Sequence, residues 1–521
     1  MPALDHFPVV PGKFEKPYKS QEGTITAVEK AFKDYRYVIL ESPVGSGKSA
    51  IALTLARAMG DAHVLIPRKS LQDQYFSDFE EFVTLMKGRS SYPCGFYKEI
   101  EEVDEIFDKI LTGSIQPPQW GETTCAEGPC KDNERKHEEC LERIGTCPYM
   151  MALGVAQDHK LVIHNFWSFI YQGYFAGRFN LRKLLVVDEA HMMEGILRDF
   201  TVRNLNLPGN IPESDTQNLT DVEAWVDWVL SKKELHPKDK DEHEKFLAGL
   251  EKLANFPDKT PIISREYRED GDFTRYSFTP RTLGGLPEEL VFQYGEKVLL
   301  MSGTIYDKTR FCQALGINPE DACFIRTSSS FPVRNRPVYV KDDYMVDLSY
   351  KAWNSNLQKM GEIINRILDT FHDVKGLIHA PSYHAIGDIM KATLSPRLIG
   401  HDKFNFPFVL EQFYNSENND VLVSPICQQG VDFKGDRARF QIILRVPFLN
   451  VSDPFTEYKM RNDFPWYNYQ SLLTFGQMLG RVNRGPDDFG VTVLVDSRFG
   501  SFIRRNSKYL PQWQKEAFIY K

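Results

Sequence analysis

The octet Ser42-Pro43-Val44-Gly45-Ser46-Gly47-Lys48-Ser49 ends in Gly-Lys-Ser, after the apolar run YVILE and directly before AIALTLARAM. A Gly-rich turn between a strand and a helix aims backbone N–H groups at an anion, and phosphate is the anion such turns hold. In that geometry Gly45, Ser46 and Gly47 wrap phosphate oxygens, Lys48 reaches the β- and γ-phosphates, and Ser49 offers a hydroxyl to Mg²⁺. Ser42 stands where the general pattern has glycine. About 140 residues later, LLVVDEAH (184–191) places Asp188 and Glu189 straight after four apolar residues, at the end of a buried strand. Asp188 suits Mg²⁺, and Glu189 suits orienting and deprotonating a water that attacks the γ-phosphate. His191 is placed to pass the state of that site to neighbouring segments.

Late in the chain, QMLGRVNRG (477–485) sets Gln477, Arg481 and Arg484 at spacings of four and three, one face of a helix. Arginines supplied by a second domain stabilise charge on a transferring phosphoryl group. The three stretches together describe ATP hydrolysis in a cleft between two domains. A different chemistry is concentrated between Ser91 and Pro148, where Cys94, Cys125, Cys130, Cys140 and Cys147 make up five of the eight cysteines. In a reducing compartment such clustering favours a metal over disulfides, and four thiolates suit either a [4Fe–4S] cluster or Zn²⁺. The spacing lacks paired Cys-x-x-Cys knuckles, which leans slightly toward iron. Cys140 is an alternative to Cys147 as fourth ligand, and Cys312, Cys323 and Cys427 read as small core residues.

These residues need a scaffold, and the apolar runs supply one. YVILE (37–41), HVLIP (63–67), LVIHN (161–165), LLVVDEA (184–190) and KVLLMSGT (297–304) alternate with helix-period text, the order of a parallel sheet covered by helices. A second alternation follows in GLIHAPS (376–382), DVLVSPI (420–426), FQIILRVPF (440–448), a helix from Trp466 to Arg484, and VTVLVDS (491–497). The predicted organisation is a first domain over 1–330, with insertions at 91–157 (cysteine-bearing) and 193–276 (helical), and a second domain over 331–521. A chain of 521 residues is too long for a single core. No stretch approaches the roughly 18 apolar residues of a membrane span, and the N-terminus lacks a secretory h-region, so an intracellular location, cytoplasmic or at the chromosome, is expected. A net charge of −8 excludes coating of nucleic acid through bulk positive charge but allows a local basic groove. Candidates for that groove are Arg68 and Lys69 after a strand, and the aromatic stretch 164–179 with His164, Asn165, Trp167, Tyr171 and Arg178, then Arg182; Phe166 and Phe169 read as core.

In order and spacing, these motifs resemble those of superfamily 2 helicases, specifically the XPD/DinG family of iron–sulfur DNA helicases. Gln21 matches that family's adenine-reading glutamine, SPVGSGKS its motif I, IPRKSLQDQY (66–75) motif Ia, DEAH motif II and LLMSGT (299–304) motif III. In the second half GLIHAPSY (376–383) resembles motif IV, QQGVDFKGD (428–436) with Asp432 motif V, and QMLGRVNR motif VI. Gln429 stands where the family usually has glutamate. The likeness runs from about Gln21 to Gly490. It implies an α/β fold of two RecA-like parallel-sheet domains, the first interrupted by an iron–sulfur insertion and a helical arch. It also implies a [4Fe–4S] cluster on Cys94, Cys125, Cys130 and Cys147, since CPY at 147–149 resembles the family's ligand text. The implied activity is ATP- and Mg²⁺-dependent 5′→3′ translocation on single-stranded DNA with unwinding of forked duplex by a monomer. An RNA–DNA hybrid is a second substrate to consider. The alternative is a single-strand translocase that remodels R-loops or strips proteins without processive unwinding.

Overall fold

The computed structural model describes residues 2–94, 123–128, 147–427, 431, 433–483, 485 and 487–520. Its first sheet contains β1 (Tyr37–Glu41), β2 (Ala62–Ile66), β3 (Thr84–Met86), β4 (Leu161–Asn165), β5 (Arg182–Val187), β9 (Gly295–Ser302) and β10 (Ala322–Arg326). All are parallel, in the order β10-β1-β9-β5-β2-β4-β3. Helices α1 (Lys19–Asp34), α2 (Lys48–Met59), α3 (Lys69–Phe79) and α4 (Pro148–Asp158) belong to the same half of the chain. Because both faces are covered, successive residues alternate between two cores. Ile39, Leu65, Val162, Leu185 and Leu300 enter one; Val38, Leu40, Val64, Ile163 and Val186 enter the other. This is why the strands read as unbroken apolar runs. In register, Glu41 lies beside Ser302 and Leu65 beside Val187, so the phosphate turn and the acid pair leave the sheet at one edge.

The second sheet is also wholly parallel, in the order β13-β14-β12-β15-β16-β11-β17. Its strands are β11 (Val338–Val340), β12 (Gly376–His379), β13 (Leu398–Ile399), β14 (Val421–Ser424), β15 (Phe440–Ile443), β16 (Val491–Leu494) and β17 (Phe518–Tyr520). The expected pair of RecA-like α/β domains is therefore present.

Between β5 and β9 of the first sheet, the segment read from sequence as helical is only partly so. Helices α5 (Met193–Thr201), α6 (Val222–Ser231) and α7 (Lys240–Ala254) are there. They accompany an antiparallel sheet, β6 (Arg203–Pro208), β7 (Ile262–Arg268) and β8 (Phe273–Thr279), with β8 in the middle. Trp225 of α6 packs on Tyr276 and Phe278 of β8, with ring centroids 4.5 and 5.5 Å apart. Leu205, Leu207, Leu250 and Leu253 complete a separate core. Thr274, Tyr276 and Phe278 are buried while their neighbours are half-exposed, a period-two pattern that the helical reading overlooked.

A second correction concerns the helix expected from Trp466 to Arg484. Helix α8 runs from Phe464 to Leu479 and stops at Gly480. Arg481 therefore lies in the turn beyond it. Asn483 holds that turn, its side-chain amide donating to Asp488 O (2.6 Å) and Asn335 O (3.2 Å).

Candidate nucleotide cleft

The phosphate turn is built around two residues with left-handed backbone, Gly45 (φ 75°) and Gly47 (φ 74°), and Gly47 caps α2. Gly47 has a further reason to lack a side chain: a β-carbon there would overlap the amide of Gln21. That amide donates to Ser46 O (3.3 Å), while its oxygen accepts the Tyr18 N–H (2.8 Å). Gln21 is thus buried against the turn and braces it. Ser42, the residue in place of glycine, accepts from the Thr327 hydroxyl (2.8 Å) and donates to Ser46 Oγ (2.8 Å), tying the turn to the strand end of β10. Lys48 Nζ donates to the carbonyls of Ser42 (3.2 Å) and Pro43 (3.3 Å), and Ser49 sits half-buried in the first turn of α2.

Asp188 and Glu189 follow β5. Asp188 is buried and accepts from the Tyr75 hydroxyl (2.6 Å) and from Glu189 N–H (2.8 Å). Glu189 has φ 49°, a conformation unusual for a residue with a side chain and found where a site needs it. Burial, and then the charge of Glu189, push the Asp188 carboxyl up, against Lys48 and Tyr75. Burial acts upward on Glu189 as well, but His191, Lys48 and Arg481 outweigh it and hold that carboxyl below the usual range. The proton goes to Asp188 before Glu189, which leaves Glu189 as the ionised carboxylate of the pair.

A chain of contacts links this base to the second domain. Glu189 Oε2 lies 3.3 Å from His191 Nδ1, which is 2.9 Å from Ser302 Oγ. Ser302 Oγ accepts from Thr304 N–H (3.1 Å), and Gln477 Nε2 donates to Thr304 Oγ1 (2.7 Å). Arg481 then donates to Gln477 Oε1 (3.2 Å), to Gln477 O (3.1 Å) and to Val431 O (3.0 Å). So Gln477 and Arg481 do meet, through a turn and not along a helix. Gly45, Arg68, Glu189, His191, Lys434 and Arg481 face one interdomain cleft of about 460 Å³, within the range of small-molecule sites. Arg484 and Asp432 lie outside the described residues.

Several contributing residues were not singled out from sequence. Glu41, buried at the end of β1, accepts from Ile305 N–H (3.1 Å) and Tyr306 N–H and pairs with Arg326 (2.8 Å), fixing the turn after β9. Glu194 on α5 accepts from Trp466 Nε1 (2.8 Å) and Gln470 Nε2 (2.8 Å) of α8. Tyr75 and Lys434 lay inside quoted motif text, but nothing in the sequence marked Glu41 or Glu194 beyond being carboxylates in apolar surroundings.

Of the cysteines, Cys94, Cys125 and Cys147 are buried in one core; Cys130 and Cys140 lie outside the described residues. Cys125 Sγ is 3.1 Å from Pro93 O, and Cys147 caps the N-terminus of α4. Hydrogen bonding from Cys125 draws the Cys147 thiol down, helped by the amides of Met150 and Tyr149 and by Arg89, while Cys125 is driven up. Among the described residues no three ligating side chains stand in metal-holding geometry. Convergent buried thiols with one held toward thiolate are nonetheless the donor chemistry of a thiolate-bound metal.

The proposed groove residues divide. His164 and Arg182 are buried and structural, Arg182 donating to Ala62 O (3.0 Å), Lys160 O (2.8 Å) and Ala156 O (3.1 Å). Phe166 and Phe169 are core, whereas Trp167, Tyr171 and Lys69 are exposed. No helix among the described residues is long and apolar enough to cross a membrane.

The model for a helicase C-terminal domain matches residues 368–517, and that for the type III restriction enzyme res subunit matches 14–120. A solved XPD helicase superposes with a TM-score of 0.60 over 97% of this chain and 100% of that one, at 15% identity. The Xpd4 structure from S. tokodaii gives 0.56, over 97% and 100%, at 13% identity. The ATP-dependent DNA helicase YoaA of Haemophilus influenzae is 21% identical over 606 aligned positions, covering 93% of this chain and 91% of that one. In fold the chain is similar to the XPD helicases, and nearly its whole length aligns with YoaA. A further relative, the Fanconi anemia group J protein homolog of Gallus gallus, is 29% identical over 138 residues, 22% of this chain. That match spans only 11% of the relative's length, and matches to regulator of telomere elongation helicase 1 homologs of Drosophila span 13–14% of theirs.

Proposed function

We propose that this chain is an ATP-dependent DNA helicase that tracks 5′→3′ along single-stranded DNA and opens forked duplex as a monomer. The observation that carries the reading is the continuous path from Glu189 through His191, Ser302, Thr304 and Gln477 to Arg481, crossing between the domains at one cleft. The phosphate turn binds the triphosphate, with Lys48 released from its carbonyls to the β- and γ-oxygens. Gln21 holds the turn in shape beside the adenine end. Ser49 and Asp188 would hold Mg²⁺, whose positive charge would offset that of the phosphates. Glu189 takes a proton from water as its oxygen bonds to the γ-phosphorus and the bond to the ADP oxygen breaks. Arg481, with Arg484 of the same proposed set, answers the charge that develops, and Asp432 is assigned to binding the nucleotide. Because Arg481 belongs to the other domain, hydrolysis requires closure, and closure against a bound strand is a step of movement.

Cys94, Cys125, Cys130 and Cys147 would hold a [4Fe–4S] cluster, whose role is to give the 91–157 insertion a rigid core. The deciding experiment measures ATP turnover with and without single-stranded DNA, and unwinding of duplexes bearing a 5′ or a 3′ tail. DNA-stimulated turnover with opening of the 5′-tailed duplex alone is expected. Stimulated turnover without opening of either duplex would favour the translocase or R-loop-remodelling reading, and opening of an RNA–DNA hybrid would widen the substrate.

A further inference from the structure

Four aromatic side chains within nine residues stand in solvent: Trp167 (46% exposed), Tyr171 (59%), Tyr174 (37%) and Phe175 (54%). Together with Phe200 at the end of α5 they form one connected surface. Trp167 lies 5.4 Å from Phe200, and Phe200 lies 5.7 Å from Phe175, at tilts of 41° and 35°; Tyr171 and Phe175 are 5.8 Å apart. Contiguous exposed apolar area of this kind marks a binding surface. Its position names the ligand. Trp167 follows the end of β4 by two residues and is pinned there by Asn165, whose Oδ1 accepts the Trp167 N–H (3.1 Å). On one side β4 pairs with β2, which is followed by Arg68 and Lys69; on the other it pairs with β3, which is followed by Lys87 and Arg89. Of these, exposed Lys69 is the cation turned to solvent beside the row: Lys87 is paired with Asp73 (2.6 Å), Arg89 lies over Tyr149, and Arg68 faces the nucleotide cleft. The row ends where the Tyr174 hydroxyl is given to the Glu289 carboxylate, a group that repels phosphate.

We infer that Trp167, Phe200 and Phe175 form a ledge on which unpaired bases stack, with the phosphates of the same strand leaving past Lys69. This rests on the single-strand reading given above and assigns the residues that grip the bases. Stacking on aromatic faces tolerates any base, while Lys69 contributes to the salt-dependent part of the affinity. The flanking acid explains why the ledge does not continue past Tyr174.

The test is fluorescence-anisotropy binding of a labelled oligothymidine to the full chain over a range of salt. Trp167→Ala is expected to weaken binding roughly tenfold to a hundredfold with an unchanged salt slope, and Lys69→Ala to flatten the slope. Trp167→Phe should keep most of the affinity, whereas Trp167→Leu, equally apolar but without a π face, should lose it. Wild-type affinity in Trp167→Leu would overturn stacking and make the surface a protein-docking patch. Wild-type affinity in both Trp167→Ala and Phe175→Ala, in protein that melts like the wild type, would overturn the ledge. Failure of the wild-type chain to bind the oligonucleotide at all would instead sink the single-strand reading itself.

Discussion

At the scale of single residues, the acid pair divides its labour through burial and neighbours. Asp188 faces Tyr75 and the backbone; Glu189 faces His191 and the arginine side of the cleft. Glu189→Gln is expected to cut DNA-stimulated turnover by several powers of ten while leaving ATP bound, since the lost group acts on the water and not on the nucleotide. Lys48→Ala should lose turnover and weaken binding together; turnover assays with nucleotide titrations check both. Arg481→Ala should lower kcat far more than it raises KM, because its partner charge appears only as the γ-phosphate leaves. Equal loss in both constants would point to collapse of the Val431–Gln477 contacts. Lys48, Asp188 and Glu189 were legible in sequence because each sits at a fixed distance from a strand end. Glu41 and Glu194 were not, since their partners are 264 to 285 residues away in the chain and local text cannot reveal such pairings.

Elements determine whether those residues meet. All nine strands read from apolar runs appear and start within two residues of the expected position, because a sheet covered on both faces leaves no polar alternation to confuse them; four of them end three to five residues before the quoted run does. The short edge strands β3, β13 and β17 have three, two and three residues, too few to show a pattern. The end of α8 was misjudged because the spacing of Gln477, Arg481 and Arg484 is helical, although Gly480 stands among them. The upper part of α8 offers a sharper test of coupling. Glu194→Gln turns the acceptor of Gln470 into a second amide and should slow DNA-stimulated turnover several-fold, with ATP binding little changed. Exchanging the two, Glu194→Gln with Gln470→Glu, leaves the new amide oxygen to accept from Trp466 Nε1, restores the other hydrogen bond with donor and acceptor reversed, and should recover turnover. A double variant no better than the single one would show that the contact does not couple α5 to α8.

For the whole molecule, two interior imidazole sites predict how stability responds to acid. His63 Nε2 faces Asn180 O (3.0 Å), so that nitrogen carries the proton and Nδ1 accepts from His164 Nε2 (3.1 Å). Burial, and then the charge of Arg182, lower His63 to about 3; burial alone leads the lowering of His164, and it takes His379 to about 4 despite Gln441. A histidine with a depressed folded pKa binds its proton only after unfolding. Its contribution is therefore complete above about pH 6.5 and is lost as pH falls toward 4 and 3, at up to about 1.4 kcal/mol per pH unit for each ring. Thermal midpoints are expected to be flat from pH 7 to 8 and to fall steeply below 6; a midpoint unchanged at pH 5 would contradict the buried neutral assignment. Iron content gives a separate check: Cys147→Ser should lose iron and strand opening yet keep part of the ATPase, whereas Cys140→Ser should keep both. The interdomain contact also has a mechanical meaning. A β-carbon at Gly476 would overlap the Tyr306 hydroxyl, so here α8 rests on the first domain with no side chain between. That point is a fulcrum. The Trp466 end of the rod lies roughly 15 Å away and the Leu479 end about 5 Å, at 1.5 Å per residue. A tug on the long arm at Glu194 thus reaches the arginine turn reduced about threefold and reversed in direction, a gearing that trades coarse displacement of α5 for fine placement of a guanidinium.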